Sequence, residues 1–443
     1  MKTFKIGGIH PQENKLSISV RIENVPIPEQ VIIPLDQHIG APSTPVVVVG
    51  DKVKVGQLIG KATGFMSANT HSSVSGTVSR IDTYIDSFGY KKPAIYINVE
   101  GDEWLEGIDT SNKLLYNCTL SSKEIIQKIN DAGIVGLGGA CFPTHIKLCP
   151  PSNCKIDTLI INAVECEPYL THNHQLMIEK GEEIIVGVNI LMKALEVEKA
   201  IIGIEENKAN AIEYLKKITL SNKNIEVVTL KTKYPQGGEK QLIQACTNRE
   251  VKSGALPASV GVVVQNVATV YAVYEAVQLN KPLIEVFVTI SGPELLHPGN
   301  FKMRIGTLLS DALKMAGGMP ENTKKIIGGG PMMGRAFLTT DIPATKRSSG
   351  LLLLPEKQAK RLEPSTCIRC GKCVYACPMG LEPFLLGILS ELQIWDKLEE
   401  SHVTDCIECG SCMFTCPSHR PILDYVRMGK SEVMSIIKSR ATK

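Results

Sequence analysis

Two short cysteine runs near the end of the chain constrain its fold more than any other feature. CIRCGKCVYACP begins at Cys367, and CIECGSCMFTCP begins at Cys406. Both have the spacing C-x2-C-x2-C-x3-C-P, which is the spacing of ligands to cubane iron–sulfur clusters. Zinc also uses paired C-x2-C motifs, but a zinc site needs only four ligands and has no use for a third close cysteine. The two runs therefore predict two 4Fe–4S clusters.

The spacing also predicts which cysteines share a cluster. Three thiolates at intervals of three residues can wrap around three iron corners, and in two-cluster proteins the fourth ligates the other cluster. We expect one cluster to be held by Cys367, Cys370, Cys373 and Cys416, and the other by Cys406, Cys409, Cys412 and Cys377. Between the runs, apolar residues from Phe384 to Leu398 recur with helical spacing, which favours a helical ferredoxin module.

Length and composition narrow the class of protein. A chain of 443 residues is expected to form about three domains. Its 48 Lys and Arg residues nearly balance its 45 Asp and Glu residues, which gives no electrostatic argument for nucleic acid. No apolar run reaches the ~18 residues of a membrane span, and the first residues lack an apolar signal core. Eight of the 14 cysteines lie between Cys367 and Cys416, which favours metal ligation in a reducing, cytosolic compartment.

Residues 157–280 alternate short β-branched runs with longer helical patterns, which predicts a mostly parallel sheet covered by helices. The predicted strands are 158–163, 200–204, 225–230 and 261–265, and the predicted helices are 182–195, 208–218 and 267–279. Ligands of such sheets bind beyond the carboxyl ends of the strands. Three polar or glycine-rich loops fall at that edge, and we expect them to converge on one ligand: Asn162 with Glu165, residues 234–239, and residues 266–269.

A glycine-rich segment, GIVGLGGACFPTHIK, runs from Gly133 to Lys147. It follows a helical pattern at residues 122–129 and not a strand, so it is not the dinucleotide fingerprint of a Rossmann fold. Its glycines would let the backbone approach a flat or phosphorylated ligand, and Lys147 would supply a cation for a phosphate.

Other units flank these regions. Residues 46–80 alternate like short strands, which indicates a small barrel of the lipoyl type, although residues 67–70 lack the lysine that such carriers present. Residues 283–337 have the pattern of an α+β unit, and residues 343–364 that of a linker. Within the linker, the leucine run at residues 351–355 favours a packed strand or a subunit contact. The predicted domains are 1–115, 116–281, 282–342 and 343–443.

The order of these motifs resembles a known family over nearly the whole chain. Barrel, GIVGLGGACFPTHIK, IINAVECEPYLT, YPQGGE, QNVAT, β-grasp unit and two ferredoxin runs follow one another as in the C subunit of the Rnf electron-transport complex. The middle part is similar to the NADH-oxidising flavoprotein subunit of respiratory complex I. The resemblance implies an α/β fold: a Rossmann-like parallel-sheet domain for FMN and NADH, an N-terminal lipoyl-like β barrel, a β-grasp domain and a C-terminal two-cluster ferredoxin domain.

The resemblance also implies a set of site residues. Those expected in the flavin and nucleotide site are Gly136, Gly138, Gly139, Phe142, Lys147, Asn162, Glu165, Tyr234, Gly238, Glu239, Asn266 and Thr269. Lys147 falls where a lysine contacts FMN, Phe142 where an aromatic ring packs against NADH, and Glu165 is the expected catalytic side chain. The chain departs from the complex I pattern at Val135 and Leu137, where that family has arginines, and at Leu256, where it has an aromatic residue.

The function implied by the resemblance is electron transfer between NAD(H) and ferredoxin, coupled to ion movement. FMN would exchange a hydride with nicotinamide, and the two clusters would carry single electrons. The implied partners are the membrane subunits of the complex and its ferredoxin-type iron–sulfur subunit, at the cytoplasmic face of the cell membrane. Two alternatives remain open: a corrinoid reductase of the propanediol-utilisation type, and a non-catalytic wiring module whose flavin site is vestigial.

Overall fold

The computed structural model describes residues 1–111 and 113–441.

The N-terminal barrel consists of two small antiparallel sheets. In the barrel, Val31 and Ile33 are fully buried and Ile32 between them is partly exposed, as expected for a strand with one face in a core. The strands are β2 (Gln30–Pro34), β3 (Thr44–Pro45), β4 (Lys52–Val53), β5 (Leu58–Lys61), β6 (Thr70–His71), β7 (Gly76–Ile85) and β8 (Lys91–Val99), after a first strand, β1 (Ile22–Asn24), that lies outside the barrel. The sheet orders are β2-β8-β7-β4 and β3-β5-β6, so the predicted barrel is confirmed.

The central domain is a four-stranded, wholly parallel sheet with helices on both faces, as predicted. Its order is β11-β10-β9-β12, formed by β9 (Thr158–Asn162), β10 (Ala200–Glu205), β11 (Ile225–Leu230) and β12 (Val262–Asn266). Leu159 and Ile161 of β9 face one apolar layer, and Ile160 faces the other. The helices are α1 (Ser122–Asp131), α2 (Thr144–Lys147), α3 (His172–Glu179), α4 (Gly181–Leu195), α5 (Ala209–Ile218), α6 (Glu239–Thr247) and α7 (Val267–Gln278).

The β-grasp domain contains a six-stranded mixed sheet whose order is β1-β14-β13-β17-β15-β16. Its further elements are β13 (Glu285–Ser291), β14 (Gly299–Arg304), α8 (Leu309–Met315), β15 (Thr323–Gly328), β16 (Arg335–Phe337) and β17 (Gly350–Pro355). The interpretation of residues 343–364 as a linker is wrong for β17, which is the packed strand predicted at residues 351–355 and lies between β13 and β15. Its leucines are buried because both neighbouring strands and the layers above and below cover them.

The cluster module is helical. After the short helix α9 (Glu356–Ala359) it contains α10 (Lys372–Ala376), α11 (Pro383–Glu391), α12 (Trp395–Glu400), α13 (Ser411–Phe414) and α14 (Ile422–Ala441). The helical pattern from Phe384 to Leu398 is two helices and not one, because Gln393 adopts a left-handed φ of 56° that ends the first. Within the described part of the chain, no helix is both long and apolar enough to cross a membrane.

Residues 2–17 form an extended N-terminal strap that lies outside the barrel. Lys2 pairs in parallel with Leu230 at the end of β11, and Ile9 exchanges two backbone hydrogen bonds with Tyr234. The amide of Gly8 donates to the carbonyl of Ala376 in the cluster module at 3.0 Å. The strap therefore contacts two modules that are more than two hundred residues away from it in the sequence.

Lys346 fixes a junction between the barrel, the glycine-rich segment and the β-grasp domain. Its ammonium group is fully buried and donates to the carbonyls of Asn69 and Gly133, both at 2.8 Å. Burial lowers the pKa of Lys346 to about 7, and the effect of Cys141 in the opposite direction is smaller. The position of Gly133, where the glycine-rich segment begins, therefore depends on a buried amine.

Replacing Lys346 with Met should lower the free energy of unfolding by about 1–3 kcal/mol at pH 9, because two buried carbonyls lose their donor. In the unfolded chain the amine keeps an ordinary pKa near 10.4, so between pH 7 and 10 the unfolded state binds more protons than the folded state. The stability of the parent relative to Lys346→Met should therefore rise with pH across this window. Anaerobic urea unfolding at pH 7 and pH 9 measures the difference, with the exposed Lys314→Met as control. A difference that falls with pH would contradict the buried-amine assignment.

Candidate functional site

The glycine-rich segment forms a narrow loop at the carboxyl edge of the central sheet. The amide of Gly136 donates to the carbonyl of Phe142 at 2.9 Å, and the amide of Leu137 donates to Thr269 Oγ1 at 2.8 Å. Gly138 has a φ of 81°, and a Cβ there would lie 3.0 Å from Asn266 Nδ2. A Cβ on Gly139 would meet no atom within 4 Å. The loop is thus fixed at its base, and its tip is open to a ligand.

Lys147 lies where the loop meets the start of α6. Its Nζ is 2.7 Å from Glu239 Oε1 and 3.2 Å from the carbonyl of Val264. Both side chains are partly exposed, so neither is committed to the core. The helices α6 and α7 both begin at this edge, and Asn266 caps α7 by accepting the amide of Ala268. Two helix N-termini and a lysine suit a phosphate group, although an anion there would compete with Glu239 for Lys147.

Asn162 joins two of the predicted loops. Its side-chain amide donates to the carbonyl of Gly237 at 2.9 Å, and its oxygen accepts the amide of Val164 at 3.3 Å. The structure therefore brings together the loop after β9, the loop of residues 234–239 and the loop after β12. These polar residues and Lys147 suit the polar groups of a phosphorylated flavin. The backbone of Gly136 to Phe142 suits the close approach of its flat part.

Glu165, the expected catalytic residue, is placed differently. Its side chain is buried, and its carboxylate accepts the amides of Asn173 at 2.8 Å and His174 at 3.2 Å at the start of α3. Burial raises the pKa of Glu165, but the combined effect of His172, Lys15, Lys208 and the amide of Asn173 is larger, so the net pKa is lowered. These contacts give Glu165 the role of an ionised cap for α3, and its catalytic role stays a prediction without support from them.

Tyr234 is also directed away from the glycine loop, toward the cluster module. Its buried hydroxyl donates to the carbonyl of Cys409 at 2.8 Å and lies 3.3 Å from Glu167 Oε1. The carboxylate of Glu167 accepts the amides of Met332 at 3.0 Å and Met333 at 2.8 Å. Burial raises the pKa of Glu167. One tyrosine and one glutamate thus connect the central, β-grasp and cluster modules.

Sequence reasoning missed Glu167 and also Lys15. The Nζ of Lys15 donates to the carbonyls of Glu165, Glu167 and Leu170 at 2.7 to 2.9 Å. Burial, followed by the charge of Lys208, lowers the pKa of Lys15 to about 8. Glu167 stands two residues after Glu165, but nothing in the sequence separates their roles. For Lys15 there was no local signal, because its partners lie about 150 residues away.

The eight cysteines gather in two groups of four, each containing one residue from the other run. The outer set, Cys367, Cys370, Cys373 and Cys416, lines a cavity of about 140 Å³. The inner set, Cys377, Cys406, Cys409 and Cys412, lines a second cavity. In the described chain, no three His, Cys, Asp or Glu side chains are close enough together to hold a single metal ion. A cubane distributes its ligands over four iron corners, so this spacing does not oppose a cluster.

The inner set lies against the central domain. Besides the bond from Tyr234 to Cys409, Gln241 of α6 donates to the carbonyl of Pro378 at 3.1 Å. Ile9, Tyr234, Ala376 and Cys409 also share one apolar cluster. The residues that line the two cavities all belong to the cluster module, at positions 367–425 for the outer cavity and 377–426 for the inner one.

Four family models match consecutive parts of the chain, and the first of them covers the strap and β1 as well as the barrel. Residues 2–102 match the RnfC barrel sandwich hybrid domain, and residues 129–275 match the Nuo51 FMN-binding domain. Residues 287–336 match the SLBB domain, and residues 359–417 match the 4Fe-4S dicluster domain.

Several known proteins are similar along nearly their whole length. The C subunit of the proton-translocating ferredoxin:NAD(+) oxidoreductase complex of Clostridium ljungdahlii is 50% identical, over 98% of this chain and 94% of its own. The C subunit of the Na(+)-translocating complex of Acetobacterium woodii is 44% identical, over 98% and 97%. Among solved structures, the NAD+-reducing [NiFe]-hydrogenase in the H2-reduced state superimposes with a TM-score of 0.51. It is 18% identical over 70% of this chain and 61% of its own, a likeness in fold.

Substitution of one cysteine in either set should remove iron from that set only. Anaerobically purified protein should contain about eight iron atoms, four for each cubane. Cys416→Ser should remove the outer set's cluster although Cys416 belongs to the second run, and Cys377→Ser should remove the inner one. Iron analysis and EPR spectroscopy of each variant measure the losses. If Cys416→Ser damaged the cluster of Cys406, Cys409 and Cys412 instead, the crossed arrangement would be wrong.

Proposed function

Because this chain belongs to the C-subunit family of Rnf-type ferredoxin:NAD(+) oxidoreductase complexes, we propose that it is the subunit that exchanges electrons with NAD(H). The observation that carries the proposal is the hydrogen bond from Tyr234 to Cys409, which ties a flavin-site loop to a cluster loop. A loop that serves both sites is what electron transfer between them requires. The family is one of oxidoreductases with an FMN-binding domain and iron–sulfur ligands.

We propose that FMN binds at the carboxyl edge of the central sheet. Lys147 and the N-termini of α6 and α7 would hold its phosphate, and Asn162 would orient the loop of residues 234–239 beside its ring. When bound, FMN supplies the conversion between the two-electron chemistry of nicotinamide and the one-electron chemistry of clusters. The open tip at Gly139 would admit the nucleotide, with Phe142 next to it. Thr269 fixes the base of this loop by accepting the amide of Leu137.

The order of the two clusters follows from their contacts. Tyr234 and Gln241 bring the inner set next to the flavin loops, so we place it first on the path from the flavin site. The outer set then exchanges single electrons with another protein. Each set of four thiols would hold one 4Fe–4S cluster, giving two in the chain.

The place of the subunit follows from its relatives. Complexes of this family are named as ion-translocating, and we assign ion movement to other, membrane-embedded subunits. This chain would then lie at the periphery of the membrane, on the cytoplasmic side where NAD(H) is available, together with the ferredoxin-type iron–sulfur subunit. We propose the domains 1–115, 116–281, 282–342 and 343–443 with two changes: the strap and β1 do not belong to the barrel sheets, and β17 belongs to the β-grasp sheet.

Removing the charge of Lys147 tests the FMN site. Lys147→Ala should weaken FMN binding by roughly 10-fold or more, since a charge-assisted hydrogen bond contributes about 1.5–3 kcal/mol. Flavin and iron per chain, measured in the same sample, should show flavin loss with iron unchanged. The exposed Lys155→Ala serves as control. Unchanged flavin content in Lys147→Ala would remove this residue from the site, and a parent protein without flavin would support the vestigial alternative.

Blocking the loop tip tests the nucleotide site. The Cβ position of Gly139 is open and its φ is not left-handed, so Gly139→Leu should fold and keep its flavin. If the nucleotide lies over this tip, Gly139→Leu should slow the bleaching of flavin by NADH at least tenfold, an effect of about 1.4 kcal/mol. Gly139→Ala should have a smaller effect. Stopped-flow absorbance measures the rates, and equal rates in parent and Gly139→Leu would place the nucleotide elsewhere.

A further inference from the structure

Residues 367–373 form the outer cysteine loop, and residues 406–412 form the inner one. The two loops have the same cysteine spacing and the same backbone turn, but their surroundings are very different. Arg369 of the outer loop and Glu408 of the inner loop occupy equivalent positions, with φ values of 54° and 55°. The next residue of the inner loop, Cys409, is 7% exposed, whereas the equivalent Cys370 is exposed to solvent. The inner loop is covered by Tyr234 and its neighbours, and the outer loop has no such cover from the described residues.

The isoleucines of the two loops show the same contrast, and the aromatic residues that follow the loops show a smaller one. Ile407 of the inner loop packs against the apolar cluster that contains Ile9 and Tyr234, whereas the equivalent Ile368 is 68% exposed. Tyr375 is 83% exposed, and its equivalent Phe414 is 54% exposed. A Cβ on Gly371 would lie 3.4 Å from the ring of Tyr375, so this ring stands over the turn next to Cys370. Exposed apolar side chains grouped around one site indicate a surface that another molecule covers.

The charges of the two loops differ as well. Glu408 is held by ion pairs of 3.2 Å with Arg427 and Lys430 of α14, and Ser411 is buried. At the equivalent positions of the outer loop stand two exposed cations, Arg369 and Lys372. The chain that leads into this loop adds positive charge, since residues 357–366 contain three Lys or Arg and one Glu. The outer loop therefore combines an apolar centre with a cationic rim.

We propose that this outer loop patch, defined as Ile368, Arg369, Cys370, Lys372 and Tyr375, is the docking surface for a one-electron protein with an acidic face around its own redox centre. The apolar pair would enter the contact as Ile407 does on the inner side, and the cations would select and steer an acidic partner. In each encounter one electron passes, so one side is oxidised by one electron and the other is reduced by one, with no bond made or broken. The proposal rests on the proposed function, because it assumes that the outer set holds a cluster.

A charge reversal tests the patch directly. The variant Arg369→Glu with Lys372→Glu should fold, because Glu408 already has this backbone conformation in the inner loop. The control, Lys61→Glu with Lys91→Glu, changes the net charge equally on exposed barrel strands. The probe is a small acidic two-cluster ferredoxin, and its binding to the full-length, cluster-loaded protein is measured by calorimetry. At ~20 mM ionic strength the patch variant should bind at least about tenfold more weakly than the parent, and the control within about twofold. At ~0.5 M salt the difference should shrink, because screening shortens the range of the charges.

A second variant separates apolar contact from charge. Ile368→Ser with Tyr375→Ser should weaken binding at both salt concentrations, because it removes apolar area and leaves the charges in place. Equal binding of the parent and the charge-reversal variant would overturn the proposal. An equal loss of binding in the control would also overturn it, because that would show an effect of net charge alone. Binding of the protein to phosphatidylglycerol vesicles but not to the ferredoxin would overturn it as well. Failure of NADH to bleach the flavin would contradict the proposed function, whereas the binding measurement does not depend on NADH.

Discussion

The hydrogen bond from Tyr234 to the carbonyl of Cys409 is the contact on which the arrangement of the two redox sites depends. It lies in a buried apolar cluster, where a polar contact is strong and its loss is costly. Glu167 adds the β-grasp domain to the same point through the amides of Met332 and Met333. A hydroxyl and a carboxylate that bind backbone groups hold the loops at fixed separation, and a fixed separation is what single-electron transfer between separate cofactors needs.

Buried amines fix the modules in a similar way. Lys15 binds three carbonyls of the loop that contains Glu165 and Glu167, and Lys346 binds one carbonyl of the barrel and one of the glycine-rich segment. Each lysine organises a backbone that no regular element supports. The cost is desolvation, which lowers the pKa of both amines. Such sites are sensitive to substitution, although neither amine need touch a cofactor.

Local sequence patterns predicted much of this fold. The features that they did not predict depend on contacts between residues that lie far apart in the sequence. The strands β9 to β12 alternate with helices in the sequence, so their order could be read directly, and the cysteine spacing already implied the exchange of Cys377 and Cys416. The leucine run of β17 favoured a packed strand, but its place in the sheet could not be read, because its partners β13 and β15 are distant in the sequence. The strap pairs with β11 more than two hundred residues later. Glu165 and Glu167 could not be told apart, because the left-handed φ of 49° at Glu165 decides which way each carboxylate points.

We propose that electrons pass between the flavin site and the outer cysteine set only through the inner set. The most direct test reduces the protein fully, removes the reductant, mixes it rapidly with NAD+ and follows each cluster by freeze-quench EPR. The inner cluster should be reoxidised before the outer one, with NADH appearing in step. In Cys377→Ser, the outer cluster should stay reduced while the flavin is reoxidised. Reoxidation of the outer cluster at the parent rate in Cys377→Ser would contradict the account.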